Sequence, residues 1–235
     1  MIREHFEQKQ TITTILADSQ KEIDAAKEAM ISARNDLEDY IFSDSFFSMT
    51  YEPCEISDDA PLIVKRMADA ADEAGCGPMA AVAASVAWSG VEAMKKSGAT
   101  FGLIDNGGDI VLFSDRVVRV GIFAGRAKSS GKYAFLIPPQ NELLGICTSS
   151  ATVGPSVSFG IADAVVCFSK NPAKADAWAT QLCNEITPEN FESVIPENSE
   201  INGVYAVIGD WIGKWGELPE IVKADVSYDL ITKGV

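Results

Sequence analysis

The stretch Phe101-Gly102-Leu103-Ile104-Asp105-Asn106-Gly107-Gly108-Asp109-Ile110-Val111-Leu112-Phe113 decides the fold. Two apolar runs flank the tetrad Asn106-Gly107-Gly108-Asp109. Glycines in the middle of such a tetrad supply the positive φ that a tight turn demands, so the segment reads as an antiparallel hairpin. Runs at 117–123, 133–137 and 144–148 read as the strands that follow it. Upstream, residues 2–17 read as another hairpin, with a polar break at 7–10. Asp18 or Ser19 then caps a helix to about residue 40, on which Ile23, Ala26, Met30, Ala33 and Leu37 recur at helical spacing. Residues 41–60 read as irregular. Pro61 opens a second helix to about 74, and Gly75-Cys76-Gly77-Pro78 separates it from a small-residue helix over 79–97. In the second half, 156–168 reads as one or two strands and 172–186 as a helix. A short helix is expected after Pro188, closing strands at 203–209 and 221–231, and a turn-rich apolar stretch at 211–216.

That order is strands, helices, strands, then strands, helix, strands. It predicts an α+β fold with mostly antiparallel sheets backed by helices. A doubly wound nucleotide fold would need strict alternation of strand and helix with G-x-G-x-x-G after the first strand, and neither is present. No repeat is visible residue by residue, although the two halves echo each other in element order.

Composition narrows the function classes. The 235 residues carry 19 basic and 34 acidic side chains, a net charge of −15. Nucleic acid and anionic membrane surfaces both select basic patches, so neither is an expected partner. No run reaches membrane-spanning length, and the charged start Met1-Ile2-Arg3-Glu4-His5-Phe6-Glu7 is unlike a secretory leader. The five cysteines are an odd number with no C-x-x-C pair, which predicts buried thiols in a reducing, cytoplasmic compartment. His5 is the single histidine, which argues against a Ser-His-Asp triad or a multi-histidine metal site. Composition leaves homo-oligomerisation open.

The helix over 172–186 contains Lys174-Ala175-Asp176-Ala177-Trp178-Ala179-Thr180-Gln181-Leu182. Asp176 and Thr180 stand four apart and share a helix face. A carboxylate and a hydroxyl so placed suit a hard cation such as Mg²⁺, whose shell water and phosphate oxygens complete. The same spacing suits a surface aspartate with Thr180 bonded back to the Asp176 carbonyl.

Three segments in order resemble the ApbE-like superfamily of flavin transferases. Leu103-Ile104-Asp105-Asn106-Gly107-Gly108-Asp109-Ile110 resembles its central glycine motif. Gly145-Ile146-Cys147-Thr148-Ser149-Ser150 resembles its Thr-Ser segment, and Ala175-Asp176-Ala177-Trp178-Ala179-Thr180 its C-terminal motif. Gly77-Pro78-Met79-Ala80-Ala81-Val82-Ala83 and 156–164 look more like an uncharacterised, signal-less branch. The resemblance implies one ApbE-like domain of duplicated, T-fold-like halves, about 1–125 and 126–235. It implies Asp176 and Thr180 as Mg²⁺ ligands. Asn106, Gly107, Gly108, Asp109, Thr148, Ser149 and Ser150 would line a site for a flavin or a related phosphate-bearing nucleotide. Such enzymes hand FMN to a Thr or Ser of a target protein as a phosphoester.

Two departures stand out. The transferases carry a His-Ile-x-x-Pro-type segment before the last motif; here Val153-Gly154-Pro155-Ser156-Val157-Ser158 has no histidine. Their Lys-Gly pair falls at about Ala83-Ala84. No general base is identifiable. Two readings follow: a Mg²⁺-dependent flavin-transferase-like enzyme, or a non-catalytic binding or assembly protein that keeps the cleft.

Overall fold

The computed structural model describes residues 1–153, 160–224 and 232. Its centre is an eight-stranded sheet in which every pairing is antiparallel. The strands are β1 (Ile2–Gln8), β2 (Thr11–Ala17), β3 (Phe101–Asn106), β4 (Asp109–Ser114), β7 (Gln140–Ser149), β8 (Ala164–Ser169), β9 (Gly203–Ile208) and β10 (Trp211–Gly216), side by side in that order. The chain leaves the sheet between β4 and β7 to form β5 (Val118–Gly121) and β6 (Tyr133–Ile137). With β11 (Glu220–Lys223) these make a three-stranded sheet. The helices are α1 (Gln20–Ser43), α2 (Phe46–Met49), α3 (Leu62–Ala74), α4 (Val82–Lys96) and α5 (Pro172–Glu185), with a 3₁₀ turn at Pro78–Ala81 leading into α4. The order strand-strand, helix, strand-strand thus runs through the large sheet twice, with helices α1 to α4 in the first pass and α5 in the second.

The large sheet is buried on both faces, and its period-two pleat deals residues to two cores. Ile15, Ile104, Val111, Phe113, Cys147, Val165, Cys167, Val204 and Ala206 face the helices. Leu103, Leu112, Ile146, Val166, Phe168, Tyr205 and Val207 face the small sheet. There Phe135 meets Phe168 and Tyr205 edge-on, at centroid distances of 4.9 and 5.4 Å. The α4 helix buries Ala84, Ala87, Gly90, Val91 and Met94. A Cβ on Gly90 would lie 2.5 Å from Ile104 Cδ1, so the small residues serve close packing against α1 and β3. Gly145 does the same for α5, since a Cβ there would stand 2.6 Å from Pro172 Cα. At the start of α1 the Glu22 carboxylate accepts from the backbone N–H of Ser19 at 2.9 Å, half of a capping box.

The structure departs from the sequence reading in four places. Residues 211–216, read as turn-rich, form β10, entered through a two-residue turn with Gly209 at φ +58°. Gly213 belongs in this strand because the Trp211 ring and Phe191 occupy the space a side chain would need. Within 41–60, Phe47 anchors α2 by an edge contact with Tyr40 at 5.3 Å. Residues after Pro188 form turns and no helix, and β8 is confined to Ala164–Ser169. The segment 154–159, including most of the histidine-less stretch, lies outside the described residues, as does most of the strand expected at 221–231. Among the described residues no single helix is long and apolar enough to cross a membrane.

Candidate functional site

The Asn106–Asp109 hairpin turns as its glycines require, with Gly107 at φ +71° and Gly108 at φ +110°. The turn is pinned from below, because the Gly108 N–H donates to Asp105 Oδ1 at 2.9 Å. The pleat then sorts its polar residues. Asn106 and Asp109 fall on the helix face, in step with Ile104 and Val111, while Asp105 falls on the small-sheet face with Leu103.

On the helix face the hairpin meets the beginning of α4. That helix starts at Ala81, which offers no capping side chain, so its first N–H groups need acceptors from elsewhere. Asp176 supplies them from α5. Its Oδ2 accepts from the Ala84 N–H at 2.9 Å, and the carboxylate also accepts from the Ala83 N–H. Asn106 Nδ2 donates to the Ala83 carbonyl at 2.9 Å, which ties the hairpin to the same turn of helix. Asp176 is therefore a long-range N-cap, where the helix dipole favours negative charge. Ala83 and Ala84 stand where the resemblance puts a Lys-Gly pair, and they contribute backbone groups alone, two N–H donors and the Ala83 carbonyl.

Asp109 lies beside this cap. Its Oδ1 accepts from the Thr148 N–H at 3.1 Å, and the Cys147 thiol bonds to the same carboxylate. Burial pushes the Asp109 carboxyl up to about 7, and the charge of Asp105 adds to the rise. Burial also pushes Asp176 well above the carboxylate range, with the charge of Asp109 as the second cause. Among the described residues neither forms a salt bridge, since the nearby cation Lys174 is taken by Asp69, Glu73 and Glu200. Both carboxylates are thus buried, each is held by backbone N–H donors, and neither has a salt-bridge partner among the described residues. Among the described residues no three His, Cys, Asp or Glu side chains converge on one metal position. The protein's own donors for a hard cation here are two carboxylates, with Thr180 one helical turn along from Asp176. Oxygen donors alone, short of a full shell, fit a Mg²⁺ that shares its coordination with a phosphate ligand.

The remaining expected residues divide. Thr180 is half-buried on α5 and makes no hydrogen bond to the Asp176 carbonyl among the described residues. Ser149 is buried on the helix-facing side of β7, in step with Cys147, whereas Thr148 shares the opposite face with Ile146. Thr148 reaches the site through its backbone N–H. The Ser150 hydroxyl is spent locally, accepting from the N–H groups of Thr152 and Val153 at 3.1 and 3.0 Å. His5 stands across β1–β2–β3 from Asp105, on the small-sheet side. Its Nδ1 lies 3.2 Å from Thr14 Oγ1, and Thr14 and Asp105 both bond the Thr232 hydroxyl, at 2.8 and 2.6 Å. Sequence reasoning missed Asp105, Cys147 and the Ala83–Ala84 donors. The signal available for Asp105 was its place one residue before the turn tetrad.

The family model described as AbpE bacteria matches residues 3–199. The chain belongs to that family. A UPF0280 protein of Methanocorpusculum labreanum is 66% identical over the whole of both chains. One of Methanosphaerula palustris is 55% identical over 100% of this chain and 99% of its own. Among solved structures, the apo flavinyl transferase ApbE of Pseudomonas stutzeri superposes with a TM-score of 0.60 at 13% identity, covering 100% of this chain and 98% of that one. A mutant form of the flavin transferase ApbE of Vibrio cholerae gives 0.57 at 14% identity, over 98% and 99%. The family fold is therefore the α+β fold of the flavin transferases.

The buried carboxylates make this protein's stability fall as pH rises. A carboxyl raised in the folded state favours folding while protonated and opposes it once ionised. Stability from Asp109 is thus lost as pH rises from the ordinary carboxylate range, about 4, through about 7. The metal-free protein is expected to melt at lower temperature at pH 8 than at pH 6. Mg²⁺ should close that gap, and Asp109→Asn should remove it. Melting curves at the two pH values with chelator and with Mg²⁺ check this; a wild-type gap that Asp109→Asn leaves unchanged would assign it to other groups.

Proposed function

We propose that this protein binds a flavin nucleotide or a similar phosphate-bearing heterocycle together with Mg²⁺, where the Asn106–Asp109 hairpin, the start of α4 and Asp176 meet. The observation that supports the reading is the pair of buried carboxylates Asp109 and Asp176, held by backbone N–H donors at a helix N-terminus and without a salt bridge among the described residues. Such a pair is stable as two anions when a divalent cation lies against it. Asp109, Asp176 and Thr180 would hold the ion. When bound, Mg²⁺ supplies Lewis-acid polarisation of a pyrophosphate and neutralises charge on the leaving phosphate. The chain's own residues bind and orient. Asp176 and Asn106 fix the first turn of α4, and the glycines of the turn leave room for a ring or phosphate to approach, since nothing lies within 4 Å of where their Cβ atoms would stand.

Transfer of FMN from flavin dinucleotide would break the bond between the flavin-side phosphorus and the bridging oxygen, release AMP with that oxygen, and form a phosphoester to a Thr or Ser hydroxyl, whose proton must pass to a base. Here the only histidine, His5, is engaged with Thr14 on the other face of the sheet. That observation favours a second reading, binding without efficient transfer. Calorimetric titration with flavin dinucleotide, with and without Mg²⁺, tests the site; absence of Mg²⁺-dependent binding would overturn it. Incubation with flavin dinucleotide, Mg²⁺ and a flavin-transferase target protein then separates the readings. Weak or absent covalent flavinylation is expected, and robust labelling would establish a base that the histidine-less segment does not suggest.

A further inference from the structure

The exposed apolar and charged residues of this chain are unevenly distributed. Between residues 35 and 64 there are eight acidic side chains and no basic one, more than half of the net charge of −15. The same stretch holds the large apolar side chains Phe42, Phe46 and Met49, which are 94%, 59% and 64% exposed. Phe46 and Met49 stand three apart on α2, on its outward side, while Phe47 holds the helix down from beneath. After α2, residues 53–56 run along α3 and leave a shallow groove of about 470 Å³ between that segment and the helix. Pro53, Ile56 and Ala68 give it an apolar lining, and Glu55, Asp69 and Asp72 line it with acid; Lys65 is its one basic residue. The α2 helix packs on the 3₁₀ turn that leads into α4.

Isolated exposed apolar residues are ordinary, but three within eight residues, next in the chain to a groove lined by three carboxylates and one lysine, make a patterned surface. We infer that this face docks a cationic amphipathic segment of a partner protein, its apolar side seated on Phe46, Met49 and the groove and its Lys or Arg side chains against Glu55, Asp58, Asp59 and Asp72. Charge complementarity selects that occupant. A second copy of this chain would bring another net −15 to the contact, and an anionic membrane would be repelled. The inference stands apart from the flavin reading, since it uses none of the site's residues.

The test is fluorescence anisotropy of a labelled 18-residue helix of leucine and lysine in amphipathic pattern, against the same pattern in leucine and glutamate. The lysine peptide is expected to bind and the glutamate peptide not. Phe46→Ser with Met49→Ser should weaken binding at least tenfold with an unchanged melting temperature, and so should Glu55→Gln with Asp72→Asn, which keeps the apolar surface intact. Glu217→Gln with Glu220→Gln, an exposed acidic pair at β11 in the small sheet, should leave it within twofold. Equal loss from that pair would mean general attraction to an acidic protein and would overturn the inference. So would a dimer in light scattering that Phe46→Ser with Met49→Ser dissociates, or stronger capture by neutral phosphatidylcholine vesicles than by the peptide.

Discussion

Asp176→Ala is expected to lower stability by about 1–3 kcal/mol and to abolish Mg²⁺-dependent flavin nucleotide binding. The stability loss follows from the cap. Removing the carboxylate strands the N–H groups of Ala83 and Ala84 at the start of a buried helix, and an unsatisfied buried donor costs about 1–3 kcal/mol. Part of that cost is offset at pH 8, where the substitution also removes the repulsion with Asp109. Asp176→Asn separates the two roles. The amide oxygen still accepts from α4, so the apo protein should melt within a few degrees of wild type or higher at pH 8. The anionic ligand for the cation is gone, so the Mg²⁺-induced shift should vanish. Melting temperature with and without flavin dinucleotide and Mg²⁺ is the measurement. An Asn variant that shifts like wild type would make Asp176 a helix cap and nothing more.

The elements legible in the sequence were those fixed by local chemistry. The Asn106–Asp109 turn needs two residues at positive φ, and two glycines announce it. The start of α1 is written in Ser19 and Glu22, and the close packing of α4 in its alanines and Gly90. The repeated order of strands, helices and strands was visible in the grouping, but not that both passes join one eight-stranded sheet. What was hidden depends on residues far apart in the chain. The strand β10 looks like a turn because Gly213 and Gly216 weaken it locally, and only the Trp211 ring and Phe191 over Gly213 explain the missing side chain. The spacing of Asp176 and Thr180 showed that they share a helix face, but not that the carboxylate reaches α4 some ninety residues earlier in the chain. Of Thr148 and Ser149, alternation allows only one to face Asp176; the register of β7 against β8 places Ser149 on that side.

Lys174→Met is expected to destabilise the protein by about 2–3 kcal/mol. Lys174 opens the first turn of α5 and is only 7% exposed at its side chain, yet it meets three carboxylates: Glu73 at 2.7 Å, Glu200 at 2.9 Å and Asp69 at 3.3 Å. Burial works against its charge, but the hydrogen bonds to Glu73 and Glu200 outweigh it and hold the ammonium above the ordinary lysine range. Glu73 in turn is held below the ordinary glutamate range against its own burial, chiefly by Lys174 and the Glu200 N–H, with the Trp178 indole N–H as a further donor. Glu73 therefore joins α3, α5 and the Glu200 loop. Breaking an enclosed ion pair by removing one partner costs about 3–5 kcal/mol. The expected figure is smaller because Asp69 and Glu200 are well exposed and rehydrate. Glu73→Gln keeps an acceptor for Trp178 and removes the stranded charge, so adding it to Lys174→Met should recover part of the loss. A raised lysine stabilises until pH climbs through its folded value, and a lowered glutamate until pH falls through its own, so the contribution is full between those limits and the variants are compared near neutrality. Denaturant unfolding of the two single variants and the double variant gives the coupling. A double variant no more stable than Lys174→Met would mean that the lysine acts through the packing of its methylene stem and not through Glu73.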